Sequence, residues 1–133
     1  MNKISCLLAG IVAVITLAFS SQASEGIEAD LVKAANDMNR KRAVMRSQDL
    51  QLDRVTTKGK TLTYHIIAFT SLQKLLENPA TREWHVKSLK QKNAIDSSMK
   101  VLFQSGVSLE YRYSNSDGKL IYSFVMTPAD CGY

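Results

Sequence analysis

Val107 to Cys131 reads VSLEYRYSNSDGKLIYSFVMTPADC, and its alternation decides the fold. Val107, Leu109, Tyr111 and Tyr113 interleave with Ser108, Glu110, Arg112 and Ser114, so one side is apolar and the other polar, as in a half-buried strand. Asn115-Ser116-Asp117-Gly118 supplies turn residues and a glycine able to take positive φ, which suits a hairpin with a bulged loop. The chain returns as Leu120, Tyr122, Phe124 and Met126, alternating with Ile121, Ser123, Val125 and Thr127. This return strand is apolar on both sides near its middle, which predicts a place inside a sheet. Pro128 ends it, because proline cannot donate to a ladder.

Upstream, a second hairpin is expected. Leu50, Leu52 and Val55 make a strand whose alternation slips by one residue at Arg54, the mark of a bulge or a frayed end. Lys58-Gly59-Lys60 turns the chain into TLTYHIIAFT, Thr61 to Thr70. Leu62, Tyr64, Ile66 and Ala68 lie on one side of that strand and Thr63, His65, Ile67 and Phe69 on the other. Apolar residues on both sides past His65 suggest a strand covered on both faces.

Around these hairpins the period changes to that of helices. From Gly26 to Met45, Ile27, Leu31, Ala34, Ala35, Met38 and Met45 recur at helical spacing. Acidic residues stand in the first turn and Arg40, Lys41, Arg42 and Arg46 near the last, complementing the helix dipole. Between the hairpins, Ser71 is placed to cap a short helix with Leu72, Leu75 and Leu76. Asn78 and Pro79 begin a second, as cap and first position, with Trp84 and Leu89 directed inward. After a break at Asn93 or Ala94, Ile95, Met99, Leu102 and Phe103 form the stripe of a third helix stopped by Gly106. The plan is an α+β fold: a four-stranded, mostly antiparallel sheet of two hairpins, with an N-terminal helix and a helical insert between the hairpins.

Residues 1–23 read as a cleavable signal peptide. Lys3 gives a positive start, Leu7 to Phe19 an apolar run, and Ser21-Gln22-Ala23 a small-residue cleavage site. The run is shorter than the ~20 residues a spanning helix needs. Cys6 precedes the run and leaves with it. Residues 24–133 then form one domain of periplasmic or secreted destination, with no transmembrane span. The 17 basic and 12 acidic side chains give a net charge of +5. That excess is mild and lacks the interleaved aromatics of a nucleic-acid surface.

Candidate chemistry is sparse. His65 and His85 stand apart from any metal-ligand spacing. Cys131, left unpaired by cleavage, has no base tied to it, and no nucleophile motif occurs. The residues predict a non-enzymatic domain without cofactor or metal.

The run AIDSSMKVLFQSGVSLEYRYSNSDGKLIYSFVMTPADCGY, Ala94 to Tyr133, resembles the C-terminal half of the beta-type (AspS-like) pilotins of bacterial type II secretion, and also a group of small exported proteins without assigned activity. In those pilotins a cysteine opens a helix, a glycine ends it, a hairpin with a turn glycine follows, and a second cysteine followed by glycine closes a disulfide. Gly106, Gly118, Cys131 and Gly132 occupy the matching positions. Ala94 stands where the first cysteine would be, so that bridge is absent. Pilotins of this kind are lipoproteins, and this chain lacks the acylation cysteine. The resemblance implies a protein partner, the C-terminal amphipathic helix of a secretin subunit, received in an apolar groove. Leu31, Met38, Leu72, Leu76, Trp84, Met99 and Phe103 are the candidates for its lining. The alternative is a soluble periplasmic inhibitor or envelope accessory protein that acts through a sheet edge and the tyrosine-rich hairpin beside Arg112.

Overall fold

The computed structural model describes residues 24–133; the expected signal peptide and Cys6 lie outside the described residues. Helix α1 (Ser24–Lys41) leads through a short 3-10 turn (Arg42–Val44) into strands β1 (Leu50–Lys58) and β2 (Thr61–Ala68). Three helices follow, α2 (Thr70–Glu77), α3 (Pro79–Ile95) and α4 (Ser97–Gln104). Strands β3 (Ser108–Ser114) and β4 (Leu120–Met126) come next, and a closing 3-10 turn spans Ala129–Cys131. Among the described residues no helix is long and apolar enough to cross a membrane.

The four strands lie in the order β1-β2-β3-β4. The two hairpins are antiparallel, and β2 and β3 join them as a parallel pair. The parallel join follows from the insert, since a crossover of helices is what parallel neighbours need. The slip expected at Arg54 is a bulge between Leu52 and Arg54 that leaves Asp53 unpaired. A second register shift, between Tyr113 and Ser114, makes Ile121 the extra residue at the start of β4.

One face of the sheet carries the core. Leu50, Leu52 and Val55 of β1, Leu62, Tyr64, Ile66 and Ala68 of β2, and Leu109, Tyr111 and Tyr113 of β3 are buried. They meet Ile27, Leu31, Ala34, Ala35 and Met38 of α1, Leu72 and Leu76 of α2, Leu89 of α3, and Met99, Leu102 and Phe103 of α4 in a single cluster. At ~25 cal/mol per Å² of apolar surface, each fully buried large side chain contributes about 1.5–3 kcal/mol. Asn39 fastens α1 to the sheet: its Nδ2 donates to the Val55 carbonyl at 2.9 Å and its Oδ1 accepts from the Val55 N–H at 2.8 Å.

Several local expectations are corrected. Strand β4 is an edge, not an interior strand. Its two-sided apolarity near the middle is accounted for by Tyr122, Phe124 and Met126 turned to the core and Val125 left 47% exposed. On the other face of β2, Thr63 is buried but His65 and Ile67 are only half-buried, so that strand is not fully covered on both faces. The first helix ends at Lys41, before Met45. Ser71 does not cap α2; Phe69 holds the cap position, and the Ser71 hydroxyl instead donates to Asp49 Oδ1 at 2.5 Å. The break after α3 falls at Asp96, and Ile95 is 85% exposed, outside the α4 stripe. Asn78 does cap α3, accepting from Ala80 N–H at 3.0 Å with Pro79 in the first turn. Gly106, at φ 84°, ends α4 as expected, and the Val107 N–H reaches back to the Leu102 carbonyl at 3.1 Å.

Candidate partner-binding site

Six of the seven candidate groove residues fill the core. Leu31, Met38, Leu72, Leu76, Met99 and Phe103 are each 0–1% exposed, so a partner cannot lie against them while the helices stay closed. Trp84 is the exception, at 39% exposure. It stands off the inward stripe of α3, which is His85, Leu89 and Asn93, spaced four apart on one side of the helix. Trp84 and Leu89 are five apart and cannot share that side, a spacing the sequence already contains.

The two polar members of the inward stripe are satisfied by the sheet. His85 Nε2 lies 3.0 Å from the Tyr113 hydroxyl, and the rings meet edge to face. Burial lowers the His85 pKa from 6.5 to about 4, which keeps the imidazole neutral. Asn93 Nδ2 points at Met126 Sδ, 3.0 Å away. Around them runs a tier of rings. Tyr64 and Tyr111 stand 5.2 Å apart, Tyr111 and Phe124 stack at 4.9 Å, and Phe124 reaches Tyr122 at 6.0 Å. The tyrosines that look like an interaction surface in the sequence are mostly sheet packing; Tyr122, half-buried, is at the rim, with the Arg82 guanidinium 4.6 Å over its ring.

Of the eight exposed large apolar side chains among the described residues, four lie on the helices, and Val44, Leu120, Val125 and Tyr133 lie outside them. Val32 on α1, Trp84 and Ile95 on α3, and Val101 on α4 are 39–85% exposed. Beside them, a cleft of about 280 Å³ between α3 and β4 is lined by Glu83, Val86, Lys87, Lys90 and Tyr122.

The opposite face of the sheet is polar. Thr63 Oγ1 donates to Glu110 Oε1 at 2.9 Å, Arg112 lies 3.6 Å from the same carboxylate, and Thr56 Oγ1 meets His65 Nε2 at 2.9 Å. Partial burial, then the charges of Arg54 and Arg112, lowers the His65 pKa. A depression of about 340 Å³ opens beside it, bordered by Asp53, Arg54, Ser114 and the turn through Gly118. Among the described residues no group of three or more His, Cys, Asp and Glu side chains could hold a metal ion. Cys131 is buried and unpaired; its Sγ lies 3.9 Å from the Lys90 carbonyl, and burial, then the Asp130 charge, raises the thiol pKa. A raised pKa makes a thiol inert at neutral pH.

No protein-family model matches the sequence, and no curated protein matches it either. The solved structures are informative where sequence comparison is not. Three solved structures share this fold, two of them pilotins of type II secretion systems and one a secreted protein. EpsS, the pilotin of the Vibrio vulnificus type 2 secretion system, is similar at a TM-score of 0.58 and 20% identity, over 82% of this chain and 98% of its own. AspS, the type II secretion pilotin of Vibrio cholerae, is similar at 0.51 and 16%, over 83% and 100%. A protein of Pseudomonas aeruginosa described as secreted is similar at 0.66 and 15%, over 85% and 99%. At these identities the likeness is one of fold.

Proposed function

We propose that this chain is an exported, non-enzymatic protein-binding domain with a pilotin-like accessory role in secretion, and that its partner is an amphipathic helix such as the C-terminal helix of a secretin. The observation that carries the reading is the shared fold, which extends over 98–100% of the two pilotin chains. The surface is compatible with it. Trp84, the single tryptophan of the sequence, stands exposed on the helical layer, and aromatic anchors are the side chains that partners bury most profitably. Leu72, Leu76, Met99 and Phe103 sit on α2 and α4, helices of 8 residues each. Helices that short depend on packing rather than on their own propensity, and in this reading they are the ones that would part to extend a groove inward from Trp84.

Calorimetric titration of the chain with a peptide of a secretin C-terminal helix tests this reading. Saturable binding that is lost in Trp84→Ala and absent for a scrambled peptide is expected. Heat indistinguishable from dilution for the intact chain overturns the helix-receiving role. The second reading, an envelope accessory protein acting through the sheet edge, is favoured by the open backbone of β4.

A further inference from the structure

We propose that the free edge of β4 takes an extended segment of an acidic partner protein, which joins the sheet as one more strand. The inference deepens the sheet-edge reading and is independent of helix binding at Trp84.

The two edges of the sheet are treated differently. Along β1, from Leu50 to Val55, most outward backbone groups are occupied. Met45 C=O accepts from the Leu52 N–H at 2.9 Å, the Ser47 N–H donates to Leu50 C=O at 2.8 Å, Arg42 reaches Asp53 C=O at 3.3 Å, and Asn39 takes both groups of Val55. Asp53, Arg54 and Lys58 add charge, and the bulge at Asp53 bends the strand. These are the devices by which proteins close an edge.

Strand β4 has the opposite character. The Ser108 N–H donates to Lys60 C=O at 3.0 Å, so β3 residues with outward side chains direct their backbone to β2. By alternation, Leu109, Tyr111 and Tyr113 direct theirs to β4, where they pair with Met126, Phe124 and Tyr122. The N–H and C=O of Ser123 and Val125 therefore point away from the sheet, and no described residue bonds them. From Leu120 to Met126 there is no charged residue and no proline. The one bulge lies at Ile121, which leaves Tyr122–Met126 regular.

Charge selects the occupant. The rim above β4 carries Arg82 over Tyr122, with Lys87 and Lys90 lining the cleft, against Glu83 and an Asp130 that lies 3.4 Å from Lys90. A second copy paired along β4 would bring its own Arg82, Lys87 and Lys90 against this rim. An acidic strand meets a rim with one cation in excess: an apolar side chain opposite Phe124 covers the cleft, and its carboxylates flank Lys87 and Arg82, away from the Lys90–Asp130 pair.

The probe is an acetylated, amidated peptide, Thr-Glu-Thr-Val-Thr-Glu-Thr, followed by amide hydrogen exchange in the intact chain. Added peptide is expected to slow exchange at Ser123 and Val125, with Tyr122, Phe124 and Met126 protected before and after. Replacing Glu by Lys in the peptide is expected to raise Kd ~10-fold or more, and N-methylation of its backbone to abolish the protection. Unchanged exchange at Ser123 and Val125 overturns the proposal. So does protection that is insensitive to peptide charge, or protection that appears with protein concentration alone and assigns the edge to a second copy.

Discussion

Lowering the pH should destabilise this domain through His85. The imidazole is 1% exposed and faces the Tyr113 hydroxyl, and burial holds its pKa at about 4 against 6.5 for the free side chain. Between those values the unfolded chain takes up a proton that the folded chain refuses, so stability must fall as pH falls. The contribution is complete above 6.5, shrinks through the interval and is exhausted near 4. At 1.36 kcal/mol per pH unit, the loss is ~3 kcal/mol, a large share of the stability of a small domain. Urea denaturation across this interval, in the parent and in His85→Gln, isolates the effect, because glutamine can still meet Tyr113 and does not titrate. His65, whose pKa is also lowered, is controlled by His65→Gln. Asp130 has a lowered pKa as well, held chiefly by the Thr127 backbone N–H; its stabilisation is lost only as pH falls through values below 3.8. An equal decline in the parent and in His85→Gln refutes the reasoning.

Three further outcomes follow from the packing. The Lys90 carbonyl that Cys131 approaches at 3.9 Å is the helical acceptor of the Ala94 N–H. Ala94→Cys should therefore bridge to Cys131 under oxidising conditions and stabilise by ~4 kcal/mol on loop-entropy grounds; a free-thiol count that oxidation does not lower places residue 94 off that face. Asn39→Ala removes both bonds to Val55 and should cost about 1–3 kcal/mol in denaturant unfolding, with a neutral result showing that the clamp is not formed. Met99→Ala, at a position 0% exposed, should cost about 2–5 kcal/mol; a near-zero cost would mean that α4 is not packed in solution.

Elements governed by local chemistry were legible in the sequence. The hairpin turns at Gly59 and Gly118, the bulge beside Arg54, the Asn78-Pro79 helix start and the Gly106 stop each depend on a few adjacent residues. Pairing across the helical insert did not show, because strand periodicity states which face is buried and not which neighbour lies alongside. Strand β4 read as interior on the strength of Ile121 and Val125, yet an edge strand can leave such residues half-covered. The candidate site is not legible for a related reason: large apolar residues at helical spacing are the same whether they line a groove or fill a core, and Leu31, Met38, Leu72, Leu76, Met99 and Phe103 are buried in the closed domain. Trp84 alone among the candidates is accessible, and the four-residue spacing of His85, Leu89 and Asn93 is the signal in the sequence that it faces out. The open backbone of Ser123 and Val125 could not be read without the strand order.

In the function proposed above, a partner helix docks on the helical layer at Trp84. The emission of this lone tryptophan, followed while a secretin C-terminal helix peptide is titrated into the intact chain, reports on it directly. A saturable blue shift is predicted as the exposed ring is buried. An emission maximum that does not move, at peptide concentrations where binding is independently detected, would put the partner elsewhere and contradict the account.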